Sequence, residues 1–240
     1  MAAALIGFKK GDEVFGMINF PGHGKAYAEY VAAPATHLTI KPSNISHHEA
    51  AAASLAALTA WQAMNAFTAI QQGQKVLIHA AAGGVGHYAV QMAKYSGAWV
   101  AGTASAANRD FVLNTGADEH IDYTAAPLKE QVSGIDFVLD TLGGESIDHS
   151  IAVMRKDATI VSIPSGLNEA VAGKAAAREM HGHTFKVRSS GSDMSAIADL
   201  LQQGIIRSHV SHVFSFVDMA KAHAQIATGR TRGKVVVTLP

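Results

Sequence analysis

One short segment, residues 76–86, constrains the fold of this chain more than any other part of the sequence. It begins with the continuous apolar run Val76-Leu77-Ile78 and then carries small residues from Ala80 to Gly86. A short apolar run of this kind is typical of a strand buried on both faces of a parallel sheet. Beyond it, apolar residues recur at helical spacing, at Val85, Ala89, Met92 and Ala93. The segment therefore predicts a buried strand, a sharp turn and a helix in direct succession.

The same alternation continues through the middle of the chain. Helical patterns at residues 108–115 and from residue 128 separate further apolar runs, which predict strands at 99–103, 119–121, 135–139 and 159–163. Strands that alternate with helices favour an α/β fold with a doubly wound parallel sheet and helices on both of its faces.

The two ends of the chain have a different character. Short strands are predicted at Tyr27–Val31 and Lys234–Leu239, among turn-forming residues. Between the N-terminal strands and the central sheet, Ser46 and Glu49 form the signature of a capping box. The alanine-rich stretch Ala50 to Ala69 that follows predicts one or two helices, and Gly73 is placed at its end.

Composition excludes several classes of function. The 19 basic and 19 acidic residues give no net charge, so no field attracts nucleic acid or an anionic membrane. The absence of cysteine excludes disulfides, thiol nucleophiles and cysteine-based zinc sites. No apolar run is long enough for a transmembrane helix, and Met1 to Phe8 lacks the basic region of a signal peptide. We therefore expect a cytoplasmic protein without nucleic-acid or membrane partners.

The glycine turn fits a dinucleotide phosphate site. Ala80, Gly83 and Gly86 occupy the positions of a G-x-x-G-x-x-G variant of the dinucleotide fingerprint. Small residues let the backbone approach a pyrophosphate, whose charge is favoured by the free N–H groups at the start of a helix. The alternative is a tight turn that binds nothing. The strand, turn and helix context favours the phosphate site.

The end of the second predicted strand favours NADP over NAD. An NAD-binding domain usually places an acid there to hold the ribose 2′-OH. Here the sequence from Thr103 to Arg109 contains no acid, and Asp110 already belongs to the next predicted helix. Ser105 can donate a hydrogen bond, and Arg109 can meet a phosphate with a fork of donors. The alternative for Arg109 is a solvated residue at a helix start.

Five short motifs then occur in order along nearly the whole chain. They are Gly11-Asp12-Glu13-Val14-Phe15-Gly16, Tyr27-Ala28-Glu29-Tyr30-Val31, Leu58-Thr59-Ala60-Trp61, Gly116-Ala117-Asp118, and Gly229-Arg230 with Gly233-Lys234-Val235-Val236-Val237. Their order and spacing resemble the zinc-independent quinone oxidoreductase branch of the medium-chain dehydrogenase/reductases. The resemblance implies a Rossmann domain over residues 48–205 and a partial GroES-like β-domain over 1–47, completed by 206–240.

The resemblance also implies roles for individual residues. Thr59 matches the threonine that faces the nicotinamide, and Lys234 matches a basic position near the pyrophosphate. The pyrophosphate turn is matched by Ala82, Gly83, Gly84 and Val85. The 2′-phosphate site is matched by Ser105, Arg109 and Tyr123, and the lining of the nicotinamide ribose by Thr141, Leu142, Ile163 and Pro164. Asp140 is left with two roles, as a cap for the following turn or as a ribose contact.

By this resemblance the chain is an NADPH-dependent oxidoreductase. It would transfer a hydride to a small electrophile, a quinone or an α,β-unsaturated carbonyl compound, without zinc, and a homodimer is compatible with it. Family members usually extend further at the N-terminus, where part of the substrate cleft lies, and no residue here is identified as the proton donor. A non-enzymatic NADP-binding redox sensor or scaffold therefore stays open as the alternative, whereas the missing cysteines disfavour a zinc alcohol dehydrogenase.

Thirteen histidines invite a metal hypothesis. Zinc needs three or four converging ligands. The groups His47-His48, His181/His183 and His209/His212 each lack a third ligand at a suitable spacing. We therefore predict that these histidines lie on the surface or in loops and that the chain holds no metal.

Overall fold

The protein is described here by a computed structural model that covers residues 7–239. The first six residues of the predicted N-terminal β-domain, and with them most of the segment tested for a signal peptide, lie outside the described residues, as does Pro240. The described chain forms two compact units. One contains the residues up to Leu58 together with those from Val187 onward, and the other contains Thr59–Lys186. The domain boundaries drawn from the sequence stay a prediction.

The N-terminal segment contains little regular structure before its first helix. Strands β1 (Val14–Phe15) and β2 (Thr39–Ile40) pair antiparallel, with Val14 opposite Ile40. The strand predicted at Tyr27–Val31 is wrong, since residues 27–29 form a bend, residues 30–31 have no regular structure, and Tyr30 is 90% exposed. Strand propensity alone does not form a strand where no neighbouring strand supplies hydrogen bonds and an apolar face.

Helix α1 (His47–Asn65) begins where the capping box predicts. The amide of Ser46 donates to Glu49 Oε2 at 2.8 Å, and the amide of Glu49 donates to Ser46 Oγ at 3.2 Å. These reciprocal bonds satisfy two amides at the helix start. The end of α1 differs from the prediction, because Gly73 lies in a later turn with a φ of 82°.

Residues 75–184 form a six-stranded parallel sheet. Its strands are β3 (Lys75–Ile78), β4 (Trp99–Ala104), β5 (Glu119–Asp122), β6 (Ile135–Asp140), β7 (Met154–Ser162) and β8 (His181–Thr184). Their order in the sheet is β5-β4-β3-β6-β7-β8, and they alternate with five α-helices. The helices are α2 (Gly86–Tyr95), α3 (Arg109–Asn114), α4 (Leu128–Gln131), α5 (Glu145–Ile151) and α6 (Val171–Ala176). The predicted α/β fold with a parallel sheet is confirmed.

The strand order creates a switch point between β3 and β6. The chain runs from β3 outward to the edge strand β5 and then returns to place β6 on the other side of β3. Because parallel crossovers are right-handed, this reversal puts the helices of the two halves on opposite faces of the sheet. Ligands of such sheets bind outside the carboxyl ends of the strands at this point. The topology therefore directs attention to the loops that follow β3, β4, β6 and β7.

The core of this unit fills the space between the sheet and its helices. Fully buried apolar side chains come from the central strands and from α5 and α6; they include Leu77, Ile135, Val138, Ile147, Ile160 and Val171. Leu77 lies in β3, whose three residues after Lys75 are apolar and buried, as expected for a strand covered on both faces.

The C-terminal segment adds two helices and two strands. Helix α7 (Gly191–Gln202) is capped by Ser190, whose Oγ accepts a hydrogen bond from the amide of Asp193 at 3.2 Å. Strand β9 (Val210–Ser215), helix α8 (Met219–Ala227) and strand β10 (Lys234–Thr238) follow, and β9 and β10 pair in parallel. The GroES-like character of this unit stays a prediction. Across residues 7–239, we find no helix with the length and hydrophobicity needed to span a bilayer.

Candidate functional site

The turn after β3 is shaped by the carbonyl of Ala80. Ala80 has a φ of 46°, which is uncommon for a residue with a side chain, and its carbonyl accepts a hydrogen bond from the amide of Gly83 at 2.8 Å. A Cβ atom on Gly86 would lie 2.2 Å from this oxygen, and one on Gly83 would lie 3.0 Å from it. The turn itself thus requires glycine at position 86, before any ligand is considered, whereas a Cβ at position 83 would make only a tight contact.

The start of α2 offers backbone amides to a ligand. Among the described residues, no hydrogen bond engages the amides of Gly84, Val85 or Gly86. The first N–H groups of a helix lack intrahelical partners, and with the helix dipole they favour an anion. This arrangement can hold a phosphate group at the carboxyl edge of the sheet.

His87 anchors the turn from within α2. Its side chain is buried, and its Nδ1 lies 2.8 Å from the carbonyl oxygen of Gly83. Because a carbonyl only accepts, Nδ1 carries the proton in this contact. The backbone amide of His87 donates to the same oxygen at 3.2 Å. Sequence reasoning missed His87, although its spacing of four residues from Gly83 is the spacing at which helical side chains reach back.

The loop after β4 carries the residues predicted to choose the cofactor. Ser105 is half-buried, and its Oγ accepts a hydrogen bond from Asn108 Nδ2 at 3.2 Å. Arg109 opens α3 with a side chain 63% exposed, and its nearest acid is Asp110 at 3.7 Å. An exposed ion pair of this length holds an arginine only weakly. The guanidinium can therefore turn toward a phosphate.

The loops after β4 and β5 begin side by side. Ala104 and Asp122 are register partners at the ends of these two strands, so the residues that follow them, Ser105 and Tyr123, leave the sheet as neighbours. Tyr123 is 66% exposed. The structure thus brings the starts of both predicted 2′-phosphate segments to one corner of the sheet.

Asp140 holds the loops after β6 and β7 together. Its carboxylate is fully buried and accepts hydrogen bonds from the amides of Leu142 and Gly143 at 3.1 Å each, from Ser162 Oγ at 2.5 Å, and from Ser146 Oγ. Protein donors therefore surround it. Of its two roles, the geometry supports the cap for the following turn, and it gives no support to the ribose contact.

Two further bonds hold the same loops. The amide of Gly144 donates to the carbonyl of Leu167 at 2.7 Å and joins the two loops, whereas Asn168 Nδ2 donates to the carbonyl of Ser162 at 2.7 Å within the loop after β7. The predicted ribose-lining residues lie on these loops. Leu142 is exposed, whereas Thr141, Ile163 and Pro164 are half-buried. Thr141 Oγ1 donates to the carbonyl of His79 at 2.9 Å and so connects this edge to the glycine turn.

His79 is a buried residue that contacts two other elements, and the sequence did not identify it. Its Nε2 lies 2.8 Å from Ser150 Oγ on α5, and its Nδ1 lies 3.2 Å from Thr103 Oγ1 on β4. Burial lowers the pKa of its imidazole to about 4, against an opposing effect of the Asp140 carboxylate. The ring is therefore neutral near pH 7. Its two contacts connect the end of β3 to α5 and to β4 beneath the turn.

Two predicted cofactor contacts lie apart from these loops in the sequence. Thr59 is buried on α1 within the unit Thr59–Lys186. Lys234 begins β10 in the other unit, where burial lowers the pKa of its ammonium group. The roles of both residues stay predictions.

The histidine groups do not converge on a metal site in the described part of the chain. No cluster of three or more histidine, aspartate or glutamate side chains with suitable geometry occurs in residues 7–239. His47 pairs with Glu13 at 3.0 Å, and His183 stacks on Phe67 with ring centroids 3.9 Å apart. Whether the protein holds zinc stays a prediction.

Comparison with known proteins identifies relatives over nearly the whole chain. A family model described as zinc-binding dehydrogenase matches residues 115–237. A mitochondrial NAD(P)H oxidoreductase of Mus musculus is 31% identical over 97% of this chain and 65% of its own length. A chloroplastic quinone-oxidoreductase homolog of Spinacia oleracea is 43% identical over 50% of this chain and 38% of its own length. The chain thus spans less than two thirds of either relative.

A solved structure shows the same fold. The quinone oxidoreductase from Coxiella burnetii is 33% identical to this chain and superposes with a TM-score of 0.91, over 96% of this chain and 73% of that one. A quinone oxidoreductase from Pseudomonas syringae pv. Tomato DC3000 is 25% identical, with a TM-score of 0.81.

Proposed function

Because the chain belongs to the zinc-binding dehydrogenase family of medium-chain dehydrogenase/reductases, we propose that it is an NADPH-dependent oxidoreductase that reduces quinones or α,β-unsaturated carbonyl compounds without zinc. The observation that carries the proposal is the open row of amides at Gly84, Val85 and Gly86, where the glycine turn enters α2. The relatives described as quinone oxidoreductases and as an NAD(P)H oxidoreductase support the substrate class and the cofactor class.

The residues present fit a nicotinamide dinucleotide. The turn places free amides beside small residues, and no carboxylate lies within residues 79–87 to repel a pyrophosphate. When bound, the reduced nicotinamide supplies a hydride to an electrophilic carbon of the substrate. We assign the pyrophosphate to residues 82–85.

The chain's own contribution is to position the reacting ring and to limit water. Thr141, Leu142, Ile163 and Pro164 would line the nicotinamide ribose, on loops that Asp140 and Asn168 hold fixed. The exposed apolar side chain of Leu142 would cover one side of the ring. Thr59 would face the nicotinamide. Rigid loops orient the cofactor without an ordering penalty at each turnover.

The choice of NADPH rests on the corner where β4 and β5 end. No acid follows β4 before Asp110, and the side chain of Asp110 is 92% exposed on α3. Ser105, Arg109 and Tyr123 can instead donate hydrogen bonds to a 2′-phosphate.

Replacing Arg109 by alanine is expected to weaken NADPH binding by about 1–3 kcal/mol, the range for a hydrogen bond to a charged group. NADH binding should change little, because NADH lacks the 2′-phosphate. Dissociation constants measured by nucleotide fluorescence give both values. As a matched control, Arg178→Ala removes the same charge after α6, beside the opposite edge strand β8, and should affect neither cofactor. An equal loss for NADPH and NADH in Arg109→Ala would contradict the assignment.

Turnover assays separate an enzyme from a cofactor-binding sensor or scaffold. We expect NADPH oxidation with members of a panel of quinones and enals. Binding of NADPH without oxidation by any of them would reject the enzyme and favour the non-enzymatic alternative.

The purified protein is expected to hold no stoichiometric zinc and to keep its activity after treatment with a chelator. The reason is the lack of cysteine and of any converging ligand cluster in residues 7–239. Elemental analysis after dialysis measures this directly. One zinc ion per chain that survives dialysis would overturn the prediction.

A further inference from the structure

A carboxylate lies at the corner assigned to the 2′-phosphate. Asp122 ends β5 opposite Ala104, the residue before Ser105. Its Oδ1 accepts hydrogen bonds from the amide and the hydroxyl of Thr124, at 2.9 and 2.7 Å. These two bonds, aided by His120 and by the amide of Ala106, hold the pKa of Asp122 below its usual value. The side chain is therefore negatively charged at neutral pH.

A second side chain of β5 fixes the distance between this charge and the loop after β4. His120 lies two residues before Asp122 and so projects from the same face of the strand. Its Nε2 lies 3.2 Å from the carbonyl oxygen of Ser105, to which it donates. Ala104, the residue before Ser105, pairs with Asp122 across the two strands. Since this pairing and the His120 bond hold the start of the loop to β5, the carboxylate keeps its place beside Ser105.

We propose that Asp122 is a specificity-determining residue that weakens the hold on the cofactor's 2′-phosphate and keeps the site open to NADH. The proposal rests on the proposed function in one respect, the placement of the 2′-phosphate between Ser105, Arg109 and Tyr123. A fixed carboxylate repels a phosphate dianion across the short distance that separates the two loops. NADH, which carries a neutral 2′-hydroxyl at this position, meets no such repulsion.

Asp122 thus differs from the acid that NAD-binding domains usually carry. That acid follows the second strand of the domain, β4 here, where this chain has Ser105. Asp122 instead ends the next strand, β5, and lies beside the loop after β4. The corner therefore combines an arginine that attracts a phosphate with a carboxylate that opposes it.

The charge can be removed with little change of shape by Asp122→Asn. The asparagine Oδ1 can still accept the bonds from Thr124. Titration with 2′,5′-ADP and with 5′-AMP isolates the 2′-phosphate from the rest of the cofactor, and NADPH and NADH are titrated in parallel. We expect 2′,5′-ADP and NADPH to bind about threefold to tenfold more tightly, as for a charge pair in a partly solvated site, with little change for 5′-AMP and NADH. The gain should shrink as salt is added, because salt screens exposed charges.

Two controls separate charge from structure. Glu119→Gln removes the same charge at the amino end of β5, and should leave the ratio of the two fragment affinities unchanged. Thr124→Val removes one bond to the carboxylate but keeps its charge, and should also keep a ratio close to that of the parent. Melting temperatures check that each variant folds.

The outcomes are distinct. A parent-like ratio in Asp122→Asn, an equal loss of both fragments, or a change that salt does not reduce would overturn the proposal. No binding of 2′,5′-ADP to any of the proteins would overturn it together with the placement of the 2′-phosphate. If the expected shift occurs but no quinone or enal is reduced, the proposed function fails and the role of Asp122 stands.

Discussion

Lowering the pH from about 7 to about 4.5 is expected to remove about 2–3 kcal/mol of unfolding free energy through His79 alone. The unfolded chain binds a proton at this residue near its ordinary pKa of 6.5, whereas burial lowers the pKa of the folded protein to about 4. Between these values the unfolded state holds more protons, so the unfolding free energy falls as the pH falls. Denaturant titrations at a series of pH values measure this slope.

Comparison with His79→Gln isolates the contribution from that of other acid-sensitive groups. At neutral pH the variant should be less stable by about 1–3 kcal/mol, since Ser150 and Thr103 lose their buried partner. Its acid slope should be shallower, so the two stability curves converge toward pH 4.5. His149→Gln serves as the control, because His149 is an exposed neighbour whose replacement leaves the buried ring in place. Curves for the parent and His79→Gln that stay parallel would show that His79 does not cause the slope.

Alanine substitution should affect the two outer glycines of the turn very differently. A Cβ on Gly86 would lie 2.2 Å from the Ala80 oxygen and 2.8 Å from the Ala81 Cα, both of which are backbone atoms that cannot move without opening the turn. We expect Gly86→Ala to lose about 3 kcal/mol, at the upper end of the usual overpacking range, and about 6–12 °C in Tm for a chain of this size. It should also lose NADPH binding, because the amides of α2 are displaced.

Gly83 gives the matched comparison. Its Cβ would lie 3.0 Å from the Ala80 oxygen, and its φ lies outside the left-handed region, so the backbone itself tolerates a side chain. Gly83→Ala should melt close to the parent. Gly83→Val should fold but lose the rise in Tm that NADPH causes, since its larger side chain would occupy the approach to the pyrophosphate. A parent-sized rise with NADPH in Gly83→Val would place the cofactor elsewhere, and equal melting of Gly86→Ala and the parent would refute the role of the Ala80 carbonyl.

The sheet could be predicted because its strands carry their own signal. Val76, Leu77 and Ile78 are apolar because both faces of β3 are covered, and the helical spacing after Gly86 marks α2 without knowledge of distant residues. The turn between them was recognisable since small residues are needed there. The capping box of Ser46 and Glu49 is local for the same reason.

Elements that depend on distant partners were harder to predict. Residues 27–31 have the composition of a strand but lack a described partner, and α5 was not predicted, although Ile147 and Ile151 on its inner face belong to the core. Strand β8 lies at His181–Thr184, where pairing with β7 sets the register and the polar sequence itself gives little signal.

In the candidate site, too, the residues fixed by near neighbours were predicted and those fixed by distant partners were not. The positions of the glycine turn are fixed by neighbours a few residues away and were found from sequence. The roles of His79, Asp140 and Asp122 depend on neighbours in other elements, such as Ser150 on α5, Ser162 on β7 and Ala104 on β4, which no spacing reveals. The sequence leaves two roles open for Asp140, a cap for the following turn or a ribose contact. Only the hydrogen-bond donors around its carboxylate distinguish the two.

The hydrogen bonds of Asp140 make formation of the candidate site depend on completion of the sheet. Asp140 and Ser162 end adjacent strands, and their bond forms only when β6 and β7 are fully paired. A newly made chain that has reached Asp140 but has not yet added β7 therefore cannot hold the loops assigned to the nicotinamide ribose. A ligand stabilises only the state that binds it. Cofactor present during synthesis would therefore stabilise the finished sheet and would not stabilise a chain in which β7 has not yet paired.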